Sequence, residues 1–253
     1  METSLLFLIF LSVLFFIVAF LYSSVGHGGA SGYLAVFSLL AFAPKEMATT
    51  ALLLNVIVAT ISFVTYFRTG FFSWRLTYPF LIGSVPLALL GGTLHISSYV
   101  YTLLLAIALL AAAARLIVKV ESRVATDQAH TIPPLWMAIL IGSAIGFISG
   151  VVGVGGGIFL SPLILFMGWS EPKRTSTISA LFIVFNSVAG LIGRHVEDTL
   201  VWENYLPFMI TAILGGFAGS WWGAKIISSS LLRKLLGVVL IIASIKLIIT
   251  VLK

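Results

Sequence analysis

Two glycine clusters, Gly26-His27-Gly28-Gly29 and Gly153-Val154-Gly155-Gly156-Gly157, stand at matching points of two similar apolar halves. Each follows a long apolar run and precedes a short one. Glycine lets a ligand approach the backbone and accepts positive φ. A helix that starts just after such a loop offers unpaired N–H groups and about half a positive charge. Two such starts facing one another form an anion site that needs no fixed cation. Each contributes about 0.3–1 kcal/mol when exposed and up to ~2 kcal/mol when partly buried. Weak holding of this kind suits a ligand that must be released again.

The substrate-binding set read from the sequence is Gly26, His27, Gly28, Gly29, Gly153, Gly155, Gly156 and Gly157, with Thr50, Thr177, Asn55 and Asn186 completing the shell. Ser23, Ser24, Ser31, Thr49, Ser161, Ser176 and Ser179 lie close enough in sequence to contribute. Small residues also allow close helix packing, which is the competing reading of any one of them. The pairing of the two clusters is what favours a site. His27 has two open roles: carrying a proton or hydrogen bond to the anion, or holding its loop through a backbone carbonyl. Arg194-His195 reads first as an ordinary loop pair beside Glu197 and Asp198, and second as an electrostatic collector of anions. His95 and His130 read as loop residues.

No Asp or Glu falls within a long apolar run, so carboxylate-driven ion coupling is not expected. The four histidines are scattered and cysteine is absent, which leaves no metal-ligand spacing, disulfide or thiolate chemistry. No cofactor is called for. An enzyme alternative rests on Gly29-Ala30-Ser31-Gly32, which matches the Gly-x-Ser-Gly nucleophile motif of rhomboid intramembrane proteases. That match has no counterpart in the second half, whereas the glycine cluster around it does. A scaffold or assembly factor with no solute of its own is the third alternative.

The elements that must position these residues follow from composition. The 253 residues are 60% hydrophobic and 9% charged, against about 25% charged in a soluble domain. Apolar stretches of bilayer length recur, so the chain is an all-α polytopic membrane protein. The apolar run 5–22 lacks a basic n-region and is read as a retained span. Helices are expected over 5–22, 33–43, 47–67, 76–92 and 100–118, and again over 135–152, 158–167, 179–192, 205–224 and 231–252. In both sets the second helix, of about 16 Å, is roughly half the hydrocarbon thickness. The halves align further: Phe20 with Phe147, Pro44-Lys45 with Pro172-Lys173, Thr49-Thr50 with Ser176-Thr177, Trp74 with Trp202 and Pro79 with Pro207. Residues 1–118 form one repeat, 119–134 the connection and 135–253 the second repeat.

Orientation follows from charge. If each long and short helix form a hairpin, the second repeat is inverted. Ten basic residues then share one face (Arg68, Arg75, Arg115, Lys119, Arg123, Lys173, Arg174, Lys225, Arg233, Lys234) and four the other (Lys45, Arg194, Lys246, Lys253). A parallel repeat divides them eight to six. The positive-inside rule selects the inverted arrangement, with both termini outside the cytoplasm. Interrupted helices at corresponding points of two halves are the sequence sign of a transporter's midplane site. The expected partners are a small anionic solute and the lipid bilayer, not nucleic acid, and a homo-oligomer remains open.

The segment Gly146-Phe147-Ile148-Ser149-Gly150-Val151-Val152-Gly153-Val154-Gly155-Gly156-Gly157-Ile158-Phe159-Leu160-Ser161-Pro162-Leu163 resembles the second-half motif of the TauE/SafE sulfite-exporter family. Ser23-Ser24-Val25-Gly26-His27-Gly28-Gly29 resembles its first-half counterpart, and Thr49-Thr50 and Ser176-Thr177 fit as well. The resemblance spans almost the whole chain. It implies an inner-membrane carrier of small sulfur-containing anions such as sulfite or organosulfonates. The chain departs from the pattern at His27, where a small residue is common.

Overall fold

In the computed structural model, residues 5–40, 44–94, 96–117, 132–194, 202–225, 240–242, 244–249 and 252 are described. Their regular structure is helical throughout: α1 (Leu5–Ser23), α2 (Ala30–Leu39), α3 (Pro44–Phe67), α4 (Trp74–Thr93), α5 (Ser98–Ile117), α6 (Leu135–Val152), α7 (Gly157–Phe166), α8 (Pro172–Arg194) and α9 (Trp202–Lys225). A further apolar stretch, Leu240–Ile249, falls within the expected last helix. Five helices are long and apolar enough to cross a bilayer (α1, α3, α4, α6 and α8), and α2 and α7 are short, at 10 residues each. The chain is thus a polytopic all-α membrane protein. The connection centred on 119–131, with His130, lies outside the described residues, as do His95, His195, Glu197 and Asp198.

Boundaries differ from expectation most at α8, which begins at Pro172 rather than 179. Proline fits the first turn of a helix, where its missing N–H costs nothing. The polar residues Lys173, Arg174 and Ser176 therefore extend the helix beyond its apolar body. Helix α2 starts at Ala30, directly on the left-handed Gly29, so three residues assigned to the loop are helical.

Glycine ladders hold the bundle. On α6, a Cβ at Gly142, Gly146 or Gly150 would overlap the carbonyl oxygens of Phe80, Ser84 and Ala88 on α4. On α9, Gly215, Gly219 and Gly223 meet the carbonyls of Phe16 and Phe20 on α1 and of Ser24 just past its end in the same way. Lipid gives helices no hydrophobic reason to associate, so backbone-to-backbone approach is what such stripes supply. In both ladders the residue numbers rise together, so the paired helices are parallel.

Other contacts extend this. A Cβ on Gly216 would stand 3.1 Å from Val58 Cγ1, and Ser220 Oγ donates to Thr65 Oγ1 at 3.3 Å, making α9 parallel to α3. Asn186 Nδ2 donates to Ser84 Oγ at 3.0 Å, and Gly193 abuts the Leu89 carbonyl, making α8 parallel to α4. Between α3 and α8 the order reverses: Asn55 bonds Ser187, while the earlier Leu52 meets the later Gly190. Helices α1, α3 and α9 therefore run one way, and α4, α6 and α8 the other. Arg68, Arg75, Lys173, Arg174 and Lys225 are thereby gathered at one end of the bundle. Aromatic rings accompany them, with Lys173 Nζ 5.7 Å from the Phe71 ring centroid and Lys225 Nζ 4.1 Å from that of Trp221. This pairing of aromatic and basic residues is typical of a membrane–water boundary.

Candidate functional site

The first loop turns by means of hydrogen bonds to the last turn of α1. The Tyr22 carbonyl accepts from Val25 N at 3.1 Å and from His27 N at 2.9 Å, and Gly26 N donates to Ser23 O at 3.0 Å. Gly26 and Gly29 have φ of 77° and 101°. In the second loop Gly153, Gly155 and Gly156 have φ of 84°, 75° and 77°. Side chains rarely adopt such angles, so the glycines are what let the chain double back inside the bundle. Gly29 and Gly156 are the N-cap residues of α2 and α7, and neither start has a side-chain cap from its own N-cap residue.

Both short helices start level with the middle of a long one. Ala30 N, at the start of α2, donates to Asn55 Oδ1 at 3.1 Å, and Asn55 is central in Pro44–Phe67. Gly157, at the start of α7, packs against Ile183, central in Pro172–Arg194. Asn55 also reaches the other half: its Nδ2 donates to Ser187 Oγ at 2.9 Å and reaches the Val154 carbonyl at 3.5 Å. Its side chain fills the space between the loops, since a Cβ at Gly28 would collide with Oδ1 and one at Gly155 with Nδ2. Gly28 and Gly155 thus face one another across a single amide.

His27 makes a second link between the halves. Its Nδ1 lies 3.0 Å from the Val25 carbonyl, and its Nε2 lies 2.9 Å from Ser161 Oγ and 3.2 Å from the Gly157 carbonyl. Ser161 Oγ donates to Ser179 Oγ at 2.6 Å, which extends the chain of polar groups onto α8. Ser176 Oγ donates to the Val25 carbonyl at 3.0 Å, a third link. His27, Ser161 and Ser179 are all buried. Among the described residues no group of acidic residues, histidines or cysteines could hold a metal ion, and the one ion pair, Arg174–Glu171, lies at a helix start.

The remaining expected site residues fall elsewhere. Asn186 faces α4, with Nδ2 on Ser84 Oγ and on its own helix at Phe182 O, 2.7 Å. Thr177 Oγ1 bonds back to Lys173 O at 3.1 Å. Thr50 is buried with its hydroxyl unpartnered, on a face of α3 turned away from Asn55. Arg194 Nη2 donates to the carbonyls of Gly150 and Val151 at 2.8 and 2.6 Å, holding the end of α6 before the second loop. Ser31 Oγ donates to Tyr22 Oη at 2.8 Å, and His27 bonds Ser161 rather than Ser31, so the protease motif acquires no base there.

Several contributors were not singled out from sequence. Ser187 follows Asn186 directly and, with its 0% exposure, takes the amide of Asn55. Tyr66 Oη donates to Ser24 O at 2.7 Å and Tyr101 Oη to Val152 O at 3.2 Å, each at the end of a helix leading into a loop. Lys246 Nζ donates to Ser38 O at 2.9 Å, at the far end of α2. These donors sit in long apolar helices, where a tyrosine or serine leaves no pattern marking its partner.

Interrupted helices, loops buried in protein and, among the described residues, a buried polar core built without carboxylates define a polytopic membrane transporter. The chain matches the family described as Sulfite exporter TauE/SafE over residues 11–247, and it belongs to that family. It is 38% identical over 241 residues to a protein of Sinorhizobium fredii named "Probable membrane transporter protein", covering 94% of this chain and 96% of the relative. A similarly named protein of Xylella fastidiosa is 33% identical over 91 residues, 36% of this chain and 35% of its own. One of Methanocaldococcus jannaschii is 28% identical over 110 residues, 42% of this chain and 41% of its own. No solved structure matches the chain. The protein is a membrane transporter, not an enzyme.

Proposed function

We propose that the chain is a secondary carrier that exports small sulfur-containing anions, sulfite or organosulfonates, through a midplane site between the two glycine loops. The observation that carries the reading is the meeting of the starts of α2 and α7 with the centres of α3 and α8, with Gly28 and Gly155 on either side of Asn55. A small oxyanion there would find backbone N–H groups from both sides. Gly26, His27, Gly29, Gly153, Gly156 and Gly157 shape the loops around it. Thr50, Thr177 and Asn186 keep only a supporting role, because their surroundings lie on other helix faces.

The two repeats, 1–118 and 135–253, are inverted. Support comes from the opposite sense of α3 and its counterpart α8, and of α1 and α9 against α6 and α4. The basic end of the bundle faces the cytoplasm and the termini face outward, in the inner membrane of the cell. The test is uptake by purified protein in proteoliposomes, across sulfite, sulfate, thiosulfate, methanesulfonate, taurine and acetate, with and without a pH gradient. Saturable uptake of a sulfur oxyanion, competed by its analogues, is expected. Uptake of none of them, or only of acetate, refutes the assignment.

A further inference from the structure

We infer that Asn55 is a built-in stand-in for the transported anion: its amide oxygen holds the Ala30 N–H and its side chain closes the gap between the loops until substrate displaces it. This rests on the anion-transport reading above. An anion drawn to the start of α2 needs the N–H groups there, and the first of them already donates to Asn55 Oδ1 at 3.1 Å. An amide oxygen is a neutral acceptor of much the same size as one oxygen of a sulfur oxyanion, and charged acceptors bind N–H groups about twice as strongly. The anion can therefore win that donor.

The other end of the side chain gives displacement somewhere to go. Nδ2 is already held by Ser187 Oγ on the second half, so the amide has a partner there when Oδ1 gives up the Ala30 N–H. Asn55 is 1% exposed and sits where a Cβ from either Gly28 or Gly155 would strike it, so substrate and the amide cannot share the space. Independent of the helix start, two buried hydroxyls beside the loops have no hydrogen-bond partner. Tyr33 Oη lies 3.0 Å from where a Cβ on Gly29 would stand, and the Ser149 Cβ lies 3.5 Å from where one on Gly156 would stand. Both residues are 0% exposed. Unspent donors at both N-cap glycines are what a site awaiting an acceptor would retain.

The test uses the absence of cysteine from the chain. Ser187→Cys places a single thiol beside Asn55, and its labelling by N-ethylmaleimide is measured in proteoliposomes with and without Asn55→Ala. Asn55→Ser provides a second background should the alanine variant fold poorly. With the stand-in removed, labelling is expected to rise by about an order of magnitude. The half-saturating concentration of labelled sulfite is expected to fall about fivefold, the worth of one buried hydrogen bond no longer competing. Unchanged labelling in both backgrounds overturns the inference, as does a half-saturating concentration that stays level or rises, which would make Asn55 a direct ligand or a packing residue. If labelling rises but the wild-type protein moves none of the anions tested, the transport reading falls and Asn55 is a plug that imitates nothing.

Discussion

Gly28, Gly70 and Gly155 separate backbone strain from steric intrusion, because each carries a different combination of the two. Gly70 has φ of 80° and nothing within 4 Å of a Cβ, so Gly70→Ala meets only the left-handed penalty, about 1–2 kcal/mol. Gly28 lacks positive φ, yet its Cβ would strike Asn55 Oδ1 and lie 2.8 Å from both Cγ and the backbone oxygen of that residue. Gly28→Ala therefore acts by contact alone. Pushing the amide aside breaks its bond with Ala30 N and leaves a buried group unpaired, at about 1–3 kcal/mol. Gly155→Ala has both defects: φ of 75° and a Cβ that meets Asn55 Nδ2, with Ser187 Oγ at 2.8 Å. The expected order of stability loss in detergent is Gly70→Ala, then Gly28→Ala, then Gly155→Ala, with the last about 2–5 kcal/mol. Sulfite uptake should be near normal for Gly70→Ala in matched proteoliposomes, and about tenfold or more lower for the other two. If Gly155→Ala behaved like Gly70→Ala in both assays, the space between the loops could not be both filled by Asn55 and needed for transport.

Single cysteines at Thr3, Gln128 and Leu252 should label from outside, from the cytoplasm and from outside respectively, and termini on opposite faces would refute the inverted arrangement. Arg194→Gln should lower stability by about 1–3 kcal/mol in thermal unfolding by releasing two buried carbonyls at the end of α6, while Arg194→Lys should recover part of it; equal loss in both would point to the planar guanidinium itself. Ser31→Ala should keep more than about half of normal uptake, since its hydroxyl donates to Tyr22 Oη; loss of uptake with normal folding would reopen a reactive role. His27→Gln should flatten any rise in uptake with falling pH that exceeds the substrate's own protonation, because an anion beside the ring and a proton on it favour one another; an unchanged profile would make the residue structural and move coupling to the substrate's own proton.

Much of the architecture was legible because lipid narrows the choices to long apolar helices, and because the chain repeats itself. The short helices were legible from length alone. Their starts were misplaced by up to three residues, since Ala30-Ser31-Gly32 looks like loop in sequence but is the first turn once Gly29 has turned the chain. The glycine loops were recognised as a pair, yet their filling was not. Asn55 and Asn186 are each a lone amide in a long helix, but the alignment of Thr49-Thr50 with Ser176-Thr177 pairs Asn55 with Phe182 and leaves Asn186 about one helical turn further on. In space a difference of register sends one between the loops and the other toward Ser84. The counterpart of Asn55 at the second loop is Ile183, an apolar residue that no search for polar ligands would select. Asymmetry between the repeats is thus the part hidden from the sequence, because it depends on side-chain direction at one turn of helix.

The glycine ladders also decide which parts of the molecule can move together. They join α6 to α4 and α9 to α1, so each close-packed pair combines a helix from either half. With α3 parallel to α9 and α8 parallel to α4, two groups arise, α1–α3–α9 and α4–α6–α8, and neither is a repeat in sequence. Dividing a ladder would expose backbone surfaces that fit one another closely, with no apolar side chains to cover them. Between the groups α3 packs on α8, with Leu52 on Gly190, and a Cβ on Gly153 would stand 2.9 Å from that of Ala48; three side-chain hydrogen bonds add to this packing, the Asn55 amide on Ser187, the His27 ring on Ser161 and the Ser176 hydroxyl on the Val25 carbonyl. Each is one hydrogen bond, worth about 0.5–1.5 kcal/mol net, and each can be exchanged for a bond to a polar solute at similar energy. These exchangeable links lie beside both glycine loops, whereas the packing of α3 on α8 has no substitute in a polar solute. On the proposed reading, an anion entering there trades these links for its own, and the packing of α3 on α8 sets how far the two groups can then separate.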